Sequence, residues 1–329
     1  MKSVGSKYVL RIMLQMLLFI PIVSSRGQNK EALATEINGP TIIVYDDAGT
    51  LFVIEQAGKT LNGVNLHDKT IDRIWGKHQG EQDTYPRAVA TDHRGGLYIA
   101  DRDGGVQHVD LAKGVREVLI RGTGKLAEEV DFMIADKLGD FYLSRTADGS
   151  VAAWNQSSKQ LRLVAGTGQR GFNGDGGLAE HAELSAPTAL ALTSEGDLLI
   201  ADSGNCRIRK VEHGSGVITT IAGTGRSAEG VGCVSRGDGR KAIEAELSPR
   251  GIAVDKGVVF VIGDNRLRKV DPRTGIISTV AGTGKCKSAG DGGKASKASL
   301  ANPAGIAIDS QGNIYIVSIW VTGFDASMP

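Results

Sequence analysis

The chain has 329 residues, 23% of them charged, with 38 basic and 37 acidic side chains and a formal net charge of +1. That balance excludes a global attraction for nucleic acid, and 45 glycines beside 8 prolines suit many tight turns rather than a disordered chain. Three cysteines exclude a dense disulfide framework, so the fold must rest on its core.

At the start of the chain Lys2, Lys7 and Arg11 lead into the apolar run 12–23, and Val23-Ser24-Ser25 has the small residues of a cleavage site. Residues 1–25 read as a secretory signal peptide, which places the protein in the periplasm or outside the cell. The apolar run falls short of the roughly 20 residues that span a bilayer, so no membrane span is expected after cleavage. Residues 1–25 hold three basic and no acidic side chains, so their removal takes the net charge from +1 to −2. Residues 26–39 read as a linker or a closing strand.

From residue 40 an alternating apolar strand follows a turn six times: LFVIE at Leu51, LYIAD at Leu97, FYLSR at Phe141, LLIAD at Leu198, VFVIG at Val259 and IYIVS at Ile314. The aligned positions Phe52, Tyr98, Tyr142, Leu199, Phe260 and Tyr315 are 46, 44, 57, 61 and 55 residues apart, periods that belong to propellers or solenoids. The fifth unit contains four strand-like runs, RGIAVD, VVFVIGD, RLRKVD and GIISTVAG. A lone four-stranded unit leaves both sheet faces bare, so the units must stack. The pattern predicts an all-β, six-bladed β-propeller over residues 40–329. Its last blade is incomplete, because only 303–318 match the repeat, or is closed by the N-terminal segment, with residues 31–37 as the candidate strand.

Residues 165–177, AGTGQRGFNGDGG, contain Gly166-Thr-Gly168-Gln-Arg-Gly171, which fits the G-x-G-x-x-G of a dinucleotide loop. AGTG recurs at 222–225 and 281–284, with a worn RGTG at 121–124, and one nucleotide site does not need four loops. The glycines are better explained as positive-φ residues where the chain leaves one blade and crosses to the next, on the face that also carries the turns between second and third strands. In each crossing an aspartate (Asp175, Asp238, Asp291) is followed by alanines at +4 and +7 and a leucine at +9. Alanines three apart share one face of a helical turn, the aspartate is placed to cap that turn, and Leu184, Leu247 and Leu300 are expected to plug the blade junctions. D-G-G lacks the D-x-D-x-D-G spacing of a calcium loop, and the six histidines show no repeated ligand spacing.

The sequence AGTG, GDGG, P-x-GIA-x-D, G-N-x-YIAD and N-x-RIRKV, most regular from 164 to 316, resembles the NHL-repeat family, especially bacterial secreted NHL proteins and the extracellular NHL propeller of teneurins. The resemblance implies the same propeller fold. Some similar propellers bind RNA on a basic face, and related ones include a metal-dependent amidating lyase and lactonases that work at the central channel. Two departures weaken any shared ligand: Cys206 stands where the family commonly has histidine, and the fifth unit has a shortened turn at 263–265.

The expected function is therefore a protein or ligand interaction scaffold acting through the long crossings 167–186, 224–248 and 283–302, because long loops on a rigid frame commonly carry binding. The candidate ligand-binding residues are Arg170, Phe172, Arg207, Arg266 and Lys285. The recurring Arg207, Arg209, Lys210 and Arg266, Arg268, Lys269 read as solvated strand faces paired with nearby acids. A protein or surface glycan is the expected partner, with no nucleic acid, no cofactor, no metal ligand, no catalytic residue and a monomeric chain. The alternative is a metal-dependent lyase or lactonase-like enzyme working at the channel. Pairing among Cys206, Cys233 and Cys286 stays open.

Overall fold

The computed structural model describes residues 10–12, 39–55, 59–75, 85–102, 104–121, 130–225, 236–286, 289–290 and 293–319. Blade one is β2 (Pro40–Tyr45), β3 (Thr50–Glu55), β4 (Thr60–Asn65) and β5 (Ile71–Trp75), after a short β1 (Leu10–Ile12). Blade two is β6 (Pro86–Thr91), β7 (Gly96–Asp101), β8 (Val106–Asp110) and β9 (Val115–Ile120). Blade three is β10 (Phe132–Ala135), β11 (Phe141–Arg145), β12 (Ser150–Asn155) and β13 (Gln160–Ala165). Blade four is β14 (Pro187–Leu192), β15 (Leu198–Asp202), β16 (Arg207–Val211) and β17 (Ile218–Ala222). Blade five is β18 (Gly251–Asp255), β19 (Val258–Gly263), β20 (Arg266–Val270) and β21 (Ile277–Ala281), and β22 (Pro303–Ile308) and β23 (Ile314–Ser318) follow.

The propeller is confirmed and the blade count is corrected: among the described residues there are five four-stranded blades, not six, beside one three-stranded sheet. The sixth position holds the β22–β23 hairpin, whose free edge takes β1 in parallel pairing, Leu10 opposite Ile314 and Ile12 opposite Ile316. Every complete blade instead adds its third strand antiparallel, as β16 does on β15. Residues 319–329 contain no run of the RIRKV or ISTVAG type. The ring nevertheless closes, because Ile43 of β2 packs with Ala307, Tyr315 and Val317 of the hairpin. Residues 31–37, the candidate closing strand, lie outside the described residues, and β1 falls within the segment read as a leader.

The middle strands carry the core because their alternation is fed by apolar neighbours on both blade faces: every residue of β7, β15 and β23 is buried. The plug leucines behave as their spacing predicts. Leu184 packs with Val151, Ala165 and Ile200, Leu247 joins the core between blades four and five, and Leu300 joins Phe260 and Ile316. Ahead of them stand the short 3-10 turns Ala179–His181, Ala242–Glu244 and Ala295–Lys297, whose alanines face inward at Ala179 and Ala242.

Candidate functional site

The AGTG segments are structural. Gly166, Gly223 and Gly282 have φ of 88°, 97° and 90°, and a Cβ on any of them would run into the backbone of the turn that opens the third strand, at Gly149, Cys206 and Asn265 respectively. Their amides are already used: Gly166 N donates to Ala179 O at 3.0 Å and Thr167 N to Ala182 O at 3.0 Å, and the same pair recurs from Gly223 to Ala242 O and from Thr224 to Ala245 O. These donors hold the crossing against the blade and are not aimed at a phosphate.

The aspartates are not helix caps, which corrects the sequence expectation for Asp175 and Asp238. The 3-10 turns make no side-chain cap hydrogen bond. Asp175 instead accepts from Arg209 Nε and Nη2 at 3.1 and 2.8 Å and from Thr220 Oγ1 at 2.7 Å. Asp238 accepts from Arg268 Nε at 2.9 Å and Thr279 Oγ1 at 2.6 Å. Burial works to raise the Asp238 pKa, but the Thr279 hydrogen bond and the Arg268 charge hold it below the usual carboxylate value. Asp291, the third aspartate, lies outside the described residues.

A second correction concerns the basic positions. Arg209 and Arg268 are not solvated: their side chains are 0% and 3% exposed. Arg209 also donates to the buried Asp202 at 3.3 Å and to the carbonyl of Glu183, and Arg268 donates to those of Glu246 and Arg236. Each arginine thus ties a crossing to the third strand of the blade that follows it. Burial pushes Asp202 above its ordinary pKa, and the same cause acts on its repeat mate Asp264. For these two arginines only the reading as pairs with acids survives.

The candidate ligand residues fall into two patches of the crossing face. Phe172 is 42% exposed and its ring lies 3.6 Å under the guanidinium of Arg207. Arg207 in turn donates to the carbonyls of Asn205 and Thr224, so it bridges two successive crossings. Arg170 reaches back to blade three, donating to the carbonyls of Ala147 and Thr146 at 3.1 and 3.0 Å. Arg266 repeats the role of Arg207, donating to Thr283 O at 3.2 Å beside the exposed Lys285. Cys286 is disulfide-bonded, and Cys233 lies outside the described residues.

Sequence reasoning missed the axis. A cavity of about 800 Å³ opens on the crossing face around the starts of the inner strands. Each blade contributes to it one residue at the start of its inner strand: Thr41, Arg87, Thr188 and Ala304 in second place of theirs, and Asp131 and Arg250 immediately before theirs. Four of these sit at register shifts just behind a proline (Pro40, Pro86, Pro187, Pro303). That P-x position recurs in the sequence and was the available signal. Phe132 lines both this cavity and a second one, of about 690 Å³, at the opposite mouth, so it divides the channel. Among the described residues no three His, Cys, Asp or Glu side chains converge as metal ligands, and no helix is long and apolar enough to cross a membrane.

Comparison with known proteins agrees with the repeat. The profile described as "Teneurin NHL domain" matches residues 212–289 and 283–321, and that of the NHL repeat matches 184–211. Mouse Teneurin-3 is 37% identical over 102 residues, which is 29% of this chain but only 4% of that much longer protein. A structural genomics protein of unknown function from Bacteroides thetaiotaomicron superposes with a TM-score of 0.66 at 17% identity, covering 88% of this chain and 69% of the other. A gluconolactonase from Xanthomonas campestris does so with a TM-score of 0.57 at 14% identity, covering 86% and 84%. At these identities the two solved structures testify to the fold alone.

Proposed function

This chain is an NHL-repeat β-propeller, and on that footing we propose that it is an exported interaction scaffold that takes its partner, a protein or a surface glycan, on the crossing face. The observation that supports this is Phe172. A large aromatic side chain left 42% exposed gains little for the fold, yet here it is stacked on Arg207 and stands on a crossing anchored through Asp175 to the buried Arg209. Aromatic and arginine side chains held rigid before contact lose little entropy on binding, which is what a recognition anchor needs.

The test is a binding survey of the purified protein against surface glycans and envelope proteins, followed by variants. Phe172→Ala is expected to weaken the partner by about 2 kcal/mol or more. Lys285→Glu is expected to weaken it by reversing a rim charge. Lys137→Glu, in the β10–β11 turn on the opposite face, is expected to leave binding unchanged. Partner binding that survives Phe172→Ala and is lost in Lys137→Glu would place recognition on the other face.

Export carries its own expectation: mass spectrometry of the protein recovered from the producing cell should give a mature N-terminus near Arg26. Intact Met1 on the folded protein would remove the exported reading.

A further inference from the structure

We propose that the axial mouth on the crossing face is a binding site for a small oxyanion ligand, a carboxylate- or phosphate-bearing molecule of about saccharide size. It rests on the crossing face being the binding face, and it can fail separately, because its test uses no partner protein.

Charge is the first ground. Among the described residues the cavity is lined by Lys59, Arg87, Arg102 and Arg250 against a single carboxylate, Asp131, a local balance of +3 in a chain whose total is +1. Asp131 is already committed, since Arg87 Nη2 donates to it at 2.6 Å and Thr146 N at 2.9 Å. Lys59 lies 3.9 Å over the ring of Tyr85, and among the described residues no carboxylate pairs with Lys59, Arg102 or Arg250. The opposite mouth offers Lys137 and Asp136, which cancel. Like charges gathered in a concave, low-dielectric mouth repel one another and focus a positive potential, and a bound anion relieves that repulsion.

The second ground is the internal comparison of blades. Side chains that the fold requires recur: Arg207 with Arg266, Arg209 with Arg268, Asp175 with Asp238, each arginine tied by a carbonyl or an acid. The axial position does the opposite, reading Thr, Arg, Asp, Thr, Arg, Ala around the ring. A repeat position that differs in every neighbouring blade while lining one cavity serves an asymmetric occupant rather than the repeat. The volume falls in the range of about 300–1,000 Å³ for small-molecule sites, and Phe132 with Ile42 and Pro249 supplies an apolar floor on which the ligand body rests.

The experiment is titration calorimetry of the purified full chain at fixed ionic strength with citrate, D-glucuronate and inorganic phosphate, with glucose as the neutral control. Saturable binding of at least one oxyanion and not of glucose is expected, and the preferred probe tells a carboxylate from a phosphate source. Arg250→Gln and Lys59→Gln, both at exposed side chains, are each expected to weaken it at least about tenfold with unchanged thermal midpoints, while Lys137→Gln at the other mouth leaves it unaltered. The proposal is overturned if none of the three anions binds, if glucose binds as well, if either mouth variant binds as tightly as wild type, or if single-stranded RNA displaces the bound anion at far lower concentration.

Discussion

Arg209→Met should destabilise the propeller by about 3–5 kcal/mol in urea unfolding, because it leaves a buried carboxylate without its counter-charge. Asp202 and Arg209 both have fully buried side chains, so neither turns to water when the other is removed. Arg268→Met should cost less, since its acid, Asp238, keeps 47% of its side chain exposed and can be hydrated in the variant. The pH dependence follows from Asp202. Its folded pKa is raised above the unfolded 3.8 by burial, so between the two values the native state holds more protons and stability falls as pH rises through the folded pKa. Without Arg209 the folded pKa rises further. The gap between wild type and Arg209→Met is therefore expected to be smaller at about pH 5 than at about pH 7. A gap that does not change with pH would mean that Asp202 is not the group left stranded.

Gly166→Ala is the second large effect, expected to cost about 2–3 kcal/mol through backbone strain. At φ 88° an alanine is strained in any surroundings, and its Cβ would also lie against the Gly149 carbonyl and 2.8 Å from Ser150 Cα, both of them backbone that cannot rotate away. Gly168→Ala separates the two causes. Its φ is 84° with nothing within 4 Å of the added carbon, so it should show the torsional part alone, about 1 kcal/mol. Thermal unfolding of both variants, read against Gly223→Ala as the repeat mate, checks this. Nicotinamide and adenine nucleotides are expected not to bind wild type or either variant. Saturable nucleotide binding abolished by Gly166→Ala would restore the phosphate-loop reading.

How much of the site was legible in advance differs residue by residue. Phe172 and Arg207 were identified from the long crossing and the recurring basic strand, and the structure stacks them; Arg170, a candidate on the same crossing, is tied back to blade three. Asp175 and Asp238 were recognised as structural but assigned to the wrong donors. Capping is a local contact that spacing suggests, whereas their actual partners lie 34 and 30 residues ahead on the following blade.

Taken alone, the sequence determined what depends on neighbours along the chain: the 44–61 residue repeat, the four strands of each complete blade, the positive-φ glycines and the plug leucines. Each of these follows from a period, a turn or a steric limit that a few consecutive residues set. The tertiary structure decided the rest: that β1 pairs in parallel with the last hairpin, that Arg209 and Arg268 are buried ion-pair anchors, and that one residue per blade meets at a basic axial mouth. Arg87 and Asp131 are 44 residues apart and Thr188 meets the Arg250 carbonyl across 62, so their proximity exists only once successive blades have packed and brought the starts of their inner strands around one axis.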